Sequence, residues 1–161
     1  ENARARGRQP LARVTGATVG RWRPGTTLAD MANRLEQHLL PRCGLDWPHV
    51  DLVSSGATGA GLPVDLQESA LLRHLSDRSG HAPAVTACRA LTGDAEAASS
   101  ALQAAVAAEA VRGGTVLPTP GAALDTSLNV VVGNPALAVK RALVSALDPD
   151  GGFAFLGLAA A

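Results

Sequence analysis

Apolar residues recur along the chain between short turn segments, and their spacing predicts a succession of strands and helices. The first apolar stretch, residues 11–19, mixes β-branched and small residues and predicts a strand. After a Pro-Gly turn, either Thr26 or Thr27 can cap a helix that ends at Pro41 and Gly44. The apolar face of this helix follows the i, i+3, i+4 spacing and comprises Leu28, Met31, Ala32, Leu35 and Leu39.

A second strand and a second helix flank a glycine-rich loop. Residues 50–54 predict a short strand that leads directly into the loop at residues 56–61. Pro63 then opens a helix that extends to about Ser76. The residues available for one face of the helix that Pro63 opens are Leu66, Ala70, Leu71 and Leu75. Residues 84–87 then predict a third short strand.

The longest predicted helix spans residues 95–112 and begins beside Asp94, a suitable N-cap. Alanine lies on nearly every face of this helix, so we expect protein to surround it at the centre of the fold. Three further strands are predicted at residues 128–132, 142–147 and 153–158. This order of elements predicts an α/β protein in which helices pack on a mixed sheet.

The composition of the chain limits the classes of function that it can have. The 161 residues suffice for one ordinary domain, and 14 basic residues balance 14 acidic ones. A neutral chain lacks the electrostatic footprint of a binder of nucleic acid or acidic membranes, so we expect neither partner. No apolar run reaches the length of a membrane span and the first residues do not resemble a signal peptide, which favours a cytoplasmic protein. Cys43 and Cys88 are expected to be free buried thiols.

Read without reference to a family, no group of residues forms a complete catalytic set. The loop at residues 54–61 has the strand-loop-helix context of a phosphate site, but its spacing favours a close-packed turn. Cys88 beside Arg89 could form a thiolate, although a core cysteine is more common. We interpret Asp65 and Glu68 as acids that stabilise a helix N-terminus. No metal ligand spacing or cofactor motif occurs, so we expect neither.

The order of several short motifs resembles the C-terminal half of a β-ketoacyl synthase of the thiolase fold. Active synthases carry NAHGTGT, where this chain has Ser-Ser-Gly-Ala-Thr-Gly-Ala at residues 54–60, with Gly56 at the histidine position. They carry KSMTGH, where this chain has residues 89–94, with Arg89 at the lysine and Asp94 at the second histidine. The family's SNSFGFGGHN is replaced at residues 145–154, a stretch that contains Gly151, Gly152 and Phe153. The resemblance covers nearly the whole chain, so residues 1–161 are expected to form this half of the fold.

The resemblance implies degenerate active-site positions at Gly56, Arg89, Asp94, Gly151, Gly152 and Phe153 and no catalytic residue in this chain. Without either imidazole, ordinary decarboxylative condensation is not expected. The pattern, including Gly-Gly-Phe near the end, is similar to chain length factors of type II polyketide synthases. These proteins pair with a catalytic ketosynthase and shape the tunnel for the growing chain. The implied partners are that ketosynthase, a complementary N-terminal half of the fold and an acyl carrier protein.

Two alternatives remain open at this point. A diverged ketosynthase-like acyltransferase or condensing enzyme could use a nucleophile in the N-terminal half, with Arg89, Ser55 or Thr58 near the substrate. A decayed domain kept only as a scaffold would affect assembly but not product length. Half of a thiolase fold also exposes much of a central sheet and an apolar helix, so we expect this surface to be covered by another part of the fold.

Overall fold

A computed structural model describes residues 5–93, 95, 98–120, 124–125, 127–133 and 135–161. Within these ranges the chain forms five strands, a set of α-helices on the two sides of the sheet, a π-helical turn and a 3₁₀ turn. In chain order the elements are β1 (Arg13–Arg21), α1 (Leu28–Arg34), the π-helical turn (Leu35–Leu39), α2 (Leu40–Arg42), the 3₁₀ turn (Trp47–His49), β2 (Leu52–Ser54), α3 (Pro63–Ser79), β3 (Ala84–Thr86), α4 (Arg89–Thr92), α5 (Ser99–Gly113), β4 (Arg141–Leu147) and β5 (Gly152–Ala159).

The strands form one mixed sheet in the order β1-β5-β4-β2-β3. Strand β2 runs parallel to β3 and β4, whereas β4, β5 and β1 are antiparallel neighbours. The predicted α/β architecture with a mixed sheet is therefore confirmed. The predicted strand at residues 128–132 is wrong, because among the described residues only Val130 forms a bridge there, with Val85 of β3. The segment lies beside β3 at this one parallel bridge, where the Val85 amide donates to the Asn129 carbonyl and the Val131 amide donates to the Val85 carbonyl.

The first helical region begins where the sequence indicates. The Thr27 hydroxyl accepts a hydrogen bond from the Asp30 amide at 3.1 Å, and the Asp30 carboxylate accepts one from the Thr27 amide, which forms a capping box. Pro41 does not end the helical path, because it occupies the first turn of α2, where its missing N–H is not needed. The path ends at Gly44, whose φ of 65° suits a residue without a side chain.

Helices α3 and α5 differ from the predictions in their buried faces. On α3 the buried face includes Glu68, Leu71, Leu72 and Leu75, whereas Leu66, expected on that face, is 63% exposed. Helix α5 begins at Ser99, and its predicted cap, Asp94, lies outside the described residues. Its buried residues are Ser99, Gln103, Ala107, Ala110 and Val111, so within this chain only one side of the alanine-rich helix is covered.

Two apolar clusters cover the two faces of the sheet. One joins α1 and α3 to the sheet and contains Trp47, Leu143 and Phe155, and the other lies beneath α5 and contains Ala107, Val144 and Leu158. Both cysteines are free and buried, as predicted. None of the helices in the described ranges is long and apolar enough to cross a lipid bilayer.

Candidate functional site

The glycine-rich loop after β2 is packed against the first two turns of α3. Ser54, Ser55, Gly56 and Ala57 are all buried. The loop amides already have acceptors: the Thr58 amide donates to Asp65 and the Ala57 amide donates to the Ser55 hydroxyl. A phosphate in this loop would meet buried carboxylates instead of free amides, so the interpretation as a close-packed turn fits the structure.

Two acidic side chains of α3 fix this loop. Glu68 accepts hydrogen bonds from the Ser55 hydroxyl at 3.0 Å, from the Gly56 amide at 3.3 Å and from the Ser145 hydroxyl of β4. Asp65 accepts hydrogen bonds from the amide of Thr58 at 3.2 Å and from its hydroxyl at 2.9 Å. The interpretation of Glu68 as an acid that stabilises the helix N-terminus is therefore wrong, because its carboxylate faces the loop and β4.

Burial sets the protonation of Glu68. Removal of the carboxylate from water raises its pKa from 4.5 to about 7, although the hydrogen bonds from Ser145, Ser55 and Gly56 act in the opposite direction. The nearby charge of Asp65 adds to the increase. Glu68 therefore gains a proton as the pH falls through about 7, at a position where its carboxyl group contacts the loop and β4.

Gly56 packs closely against strand β4. A Cβ atom at this position would lie 3.1 Å from the Ser145 carbonyl oxygen and 3.2 Å from the Ala146 Cα. Both are backbone atoms of β4, so they cannot rotate away. The Gly56 carbonyl accepts a hydrogen bond from Nη1 of Arg89 at 3.0 Å. The structure thus brings Gly56 and Arg89 together across 33 residues of sequence.

Gly56 and Arg89 open onto a cavity of about 340 Å³. Its polar lining comes from Thr58, Asp65, Glu68 and Asp148, and the remaining walls are Leu62, Val64, Leu147 and Pro149. Three acidic residues and one arginine therefore line the same space.

The turn between β4 and β5 holds Gly151 and Gly152. The Asp148 carboxylate accepts hydrogen bonds from the Asp150 amide at 2.8 Å and from the Gly152 amide at 3.0 Å. Gly151 has a φ of 84°, which favours glycine. A Cβ atom on Gly152 would overlap the Asp148 carboxylate. The Trp22 amide donates to the Gly151 carbonyl at 2.9 Å, which ties this turn to the end of β1.

Phe153 follows this turn and belongs to an aromatic stack. Its ring centroid lies 4.3 Å from that of Trp22 and 5.5 Å from that of Phe155. The Arg34 guanidinium carbon lies 5.7 Å from the Phe153 centroid and 5.6 Å from that of Trp22, within cation-π range. Phe153 is only 5% exposed.

A second cavity, of about 550 Å³, lies next to the first. Arg89, Leu147 and Asp148 line both cavities, and Gly152 and Phe153 are among the lining residues of the larger one. The other lining residues of the larger cavity are Val19, Gly20, Ser100, Ala146 and Ala154. Asp94, the remaining predicted position of the site, lies outside the described residues.

Other chemistry considered from the sequence finds no support in this arrangement. Burial raises the pKa of the Cys88 thiol, and the adjacent Arg89 only partly offsets this effect, so a reactive thiolate is not favoured. In the part of the chain that the structure describes, no group of three or more histidine, cysteine or acidic residues could hold a metal ion.

Comparison with known proteins places this geometry in a family. The family model described as Beta-ketoacyl synthase, C-terminal domain, matches residues 14–123, about two thirds of the chain. The chain belongs to this family. The match to this β-ketoacyl synthase C-terminal domain includes the glycine-rich loop, α3, α4 and α5, whereas the β4–β5 turn follows the matched residues.

Solved structures share the fold of the domain over nearly its whole length. The ishigamide ketosynthase/chain length factor superposes with a TM-score of 0.80 at 26% identity, covering 99% of this chain and 40% of the other. A type II polyketide synthase acyl-carrier protein in complex with its ketosynthase, bound to the hexaketide, gives 0.79 at 18% identity, covering 99% and 41%. Ketosynthase twelve of the bacillaene polyketide synthase of Bacillus amyloliquefaciens gives 0.79 at 16% identity, covering 99% and 32%.

The domain therefore has the thiolase-like ketosynthase fold and spans about 40% of the first two of these solved chains. At identities below 25%, the second and third structures support the fold alone. No curated protein sequence matches the domain.

Sequence reasoning missed two groups of the domain's site, Glu68 and Asp148. Glu68 lies at i−4 from Leu72 and i−7 from Leu75, so its position on the apolar face of α3 was a detectable signal. Its partners are Ser55, which follows β2, and Ser145 of β4, and nothing in their local sequence indicates that they contact Glu68. Asp148 lies in a turn, where an aspartate that accepts hydrogen bonds from amides two and four residues later is common.

Proposed function

We propose that this domain belongs to a non-catalytic chain length factor, which pairs with a ketosynthase and shapes the tunnel for a polyketide chain. The structural likeness to the ishigamide ketosynthase/chain length factor, at 26% identity, supports this proposal, as does membership of the ketosynthase family. Polyketide condensation is the chemistry of the proposed complex, and this domain contributes walls to the cavity instead of reacting groups.

The observation that carries the proposal is the packing around Gly56. Decarboxylative condensation needs hydrogen-bond donors that stabilise the developing negative charge. The position that resembles the first histidine of active synthases is Gly56, which carries no imidazole, and a Cβ atom there would make tight contacts with the Ser145 carbonyl oxygen and the Ala146 Cα. The close packing of β4 against Gly56 therefore agrees with a domain that lacks this histidine.

The cavity of about 550 Å³ is the proposed contribution of this domain to the tunnel. Small residues form much of its wall, and Val19 adds an exposed apolar side chain. An extended acyl chain would contact this wall mainly through apolar and small side chains, while Arg89 offers a cation to its carbonyl oxygens.

Exposed apolar residues support the proposed partner surface. Val19 of β1 is 78% exposed, and Leu102 on the uncovered side of α5 is 36% exposed. Both belong to a surface that a soluble protein normally covers. We assign this surface to the complementary N-terminal half of the fold. We assign the ketosynthase and an acyl carrier protein as further partners, since similar structures contain a ketosynthase with a chain length factor and a ketosynthase with its acyl-carrier protein.

A diverged acyltransferase whose nucleophile lies in the N-terminal half, with Ser55 or Thr58 near its substrate, is less well supported. The Ser55 hydroxyl donates to Glu68 at 3.0 Å, and the Thr58 hydroxyl donates to Asp65 at 2.9 Å. Both hydroxyls hold the loop in place, and Ser55 is fully buried. Any nucleophile of such an enzyme would have to come from outside this domain.

The test is the length of the polyketide made by the full-length protein in complex with its ketosynthase and carrier protein. Ala154→Phe adds a ring to the wall of the larger cavity, so we expect shorter products. The matched control, Ala29→Phe, adds the same ring to an exposed position of α1 that does not line this cavity, and we expect unchanged products. Unchanged product length for Ala154→Phe in an assembled complex would contradict the proposal and favour a scaffold.

A further inference from the structure

Arg21 and Arg23, at the end of β1, line a third cavity, also of about 550 Å³. This cavity lies between the loop after β1, the helices α1 and α3 and the β4–β5 turn. As far as the described residues go, none of its lining residues belongs to the cavity that we assign to the tunnel. A ligand here would therefore be distinct from a chain in the tunnel.

Several hydrogen-bond donors around this third cavity lack acceptors. Trp22 is only 5% exposed, and its buried indole N–H has no hydrogen-bond partner in the described parts of the chain. Arg21 donates through Nε to the Asp150 carbonyl at 2.9 Å. Among the described residues, its two terminal nitrogens and the Arg23 guanidinium group have no acceptor. Because a buried donor without an acceptor is unfavourable, this wall suits an acceptor from outside the chain.

The backbone holds these donors in fixed relative positions. The Trp22 amide donates to the Gly151 carbonyl at 2.9 Å, which ties the end of β1 to the β4–β5 turn. The Thr26 amide donates to the Arg23 carbonyl at 3.0 Å, and Gly25 has a φ of 79°, so residues 23–26 form a tight turn. The two arginines therefore start from ordered backbone on either side of Trp22, which lowers the entropic cost of binding a ligand between them.

The arrangement of donors favours a phosphate group over a carboxylate. A carboxylate has two coplanar oxygens, which a single guanidinium group can satisfy. A phosphate monoester carries a larger charge and three acceptor oxygens that point in different directions, so it can bond two arginines and an indole together. Asp150 is the acidic residue of the described lining, and two arginines outweigh its charge.

We propose that Arg21, Arg23 and the indole N–H of Trp22 form a binding site for the phosphate group of a small-molecule ester. The organic part of the ester contacts Pro24 and Pro149, which line the same cavity. The site binds its ligand without making or breaking a covalent bond, and it does not depend on the proposed function.

The experiment measures binding of phenyl phosphate to the full-length protein by isothermal titration calorimetry at low ionic strength. The double variant Arg21→Gln/Arg23→Gln is compared with Arg13→Gln/Arg42→Gln, which removes the same charge from exposed residues outside this cavity. We expect the first variant to bind at least about tenfold more weakly than the wild type, and the second to keep its affinity within about twofold. We also expect the wild type to bind benzoate at least about tenfold more weakly than phenyl phosphate.

Each contrary result overturns the site in a different way. An equal loss of affinity in both double variants would show that net charge, and not this cavity, attracts the anion. Equal affinity of the wild type for phenyl phosphate and benzoate would overturn the choice of phosphate. If the wild type does not bind phenyl phosphate, the site is overturned, and weaker association of the first variant with the carrier protein would then assign the arginines to an acidic protein surface.

A second measurement needs no variant, because phenylglyoxal modifies accessible guanidinium groups and mass spectrometry locates the modified residues. We expect phenyl phosphate to slow the modification of Arg21 and Arg23 in the wild-type protein and to leave that of Arg13 and Arg42 unchanged. Equal rates for Arg21 and Arg23 with and without phenyl phosphate would overturn the inference.

Discussion

Glu68 offers a quantitative test of the site because its pKa differs between the folded and unfolded states. Burial raises this pKa from 4.5 to about 7, so the folded protein holds a proton that the unfolded chain has released between these pH values. The contribution of Glu68 to stability is therefore complete below about pH 4.5 and is lost as the pH rises through 7. At about 1.4 kcal/mol per pKa unit, the loss between pH 5 and pH 8 is about 2 to 3 kcal/mol.

Glu68→Gln removes this dependence with little change in shape. The amide oxygen can still accept hydrogen bonds from the Gly56 amide and the Ser145 hydroxyl, and the amide N–H can donate to the Ser55 hydroxyl oxygen. Between pH 5 and pH 8, the free energy of unfolding of the wild type should fall by about 2 to 3 kcal/mol more than that of the variant.

The assay is urea unfolding of the full-length protein at the two pH values, with Glu109→Gln as the control. Glu109 is an exposed glutamate of α5, so its substitution should leave the pH dependence within about 0.5 kcal/mol of the wild type. A Glu68→Gln variant whose stability falls as steeply as that of the wild type would refute the argument that burial controls this carboxylate.

Two further predictions concern the fold. Thr27→Ala removes the side-chain half of the capping box and should cost about 1 kcal/mol of stability, measured by urea unfolding; no measurable loss would show that the cap is not needed. Gly157→Ala would place a Cβ atom against the Cys43 carbonyl and should cost about 3 kcal/mol, near the upper end for overpacking, whereas Gly113→Ala meets no atom within 4 Å and should be tolerated. Equal stability of the two glycine variants would contradict the close approach of the backbones.

Residue periodicity was sufficient to predict most of the fold. Local apolar patterns predict all five described strands and the helices α1 and α3. Thr27 and Pro63 mark where these helices begin, and Gly44 marks the end of the first helical region. Residues 128–132 have a strand-like composition, but only Val130 forms a bridge with the edge strand, with Val85. Composition alone cannot distinguish a strand from a segment that pairs with the sheet at a single bridge.

The site was less accessible to this reasoning, because its contacts join distant parts of the chain. Arg89 and Gly56 are 33 residues apart, and Ser145 reaches Glu68 across 77 residues. Motif order drew attention to Gly56, Arg89 and Phe153, and all three are among the residues that line the two cavities. The position of Glu68 on the apolar face of α3 indicated that it is buried, but nothing local indicated its partners in the loop and in β4.

The most direct test of a non-catalytic role is to locate the acyl group during synthesis. The complex of the full-length protein with its ketosynthase is supplied with carrier-bound substrate, stopped with acid and analysed by intact-protein mass spectrometry. We predict an acyl adduct on the ketosynthase and none on the polypeptide that contains this domain. A stable acyl adduct on that polypeptide would contradict the account and identify a diverged acyltransferase.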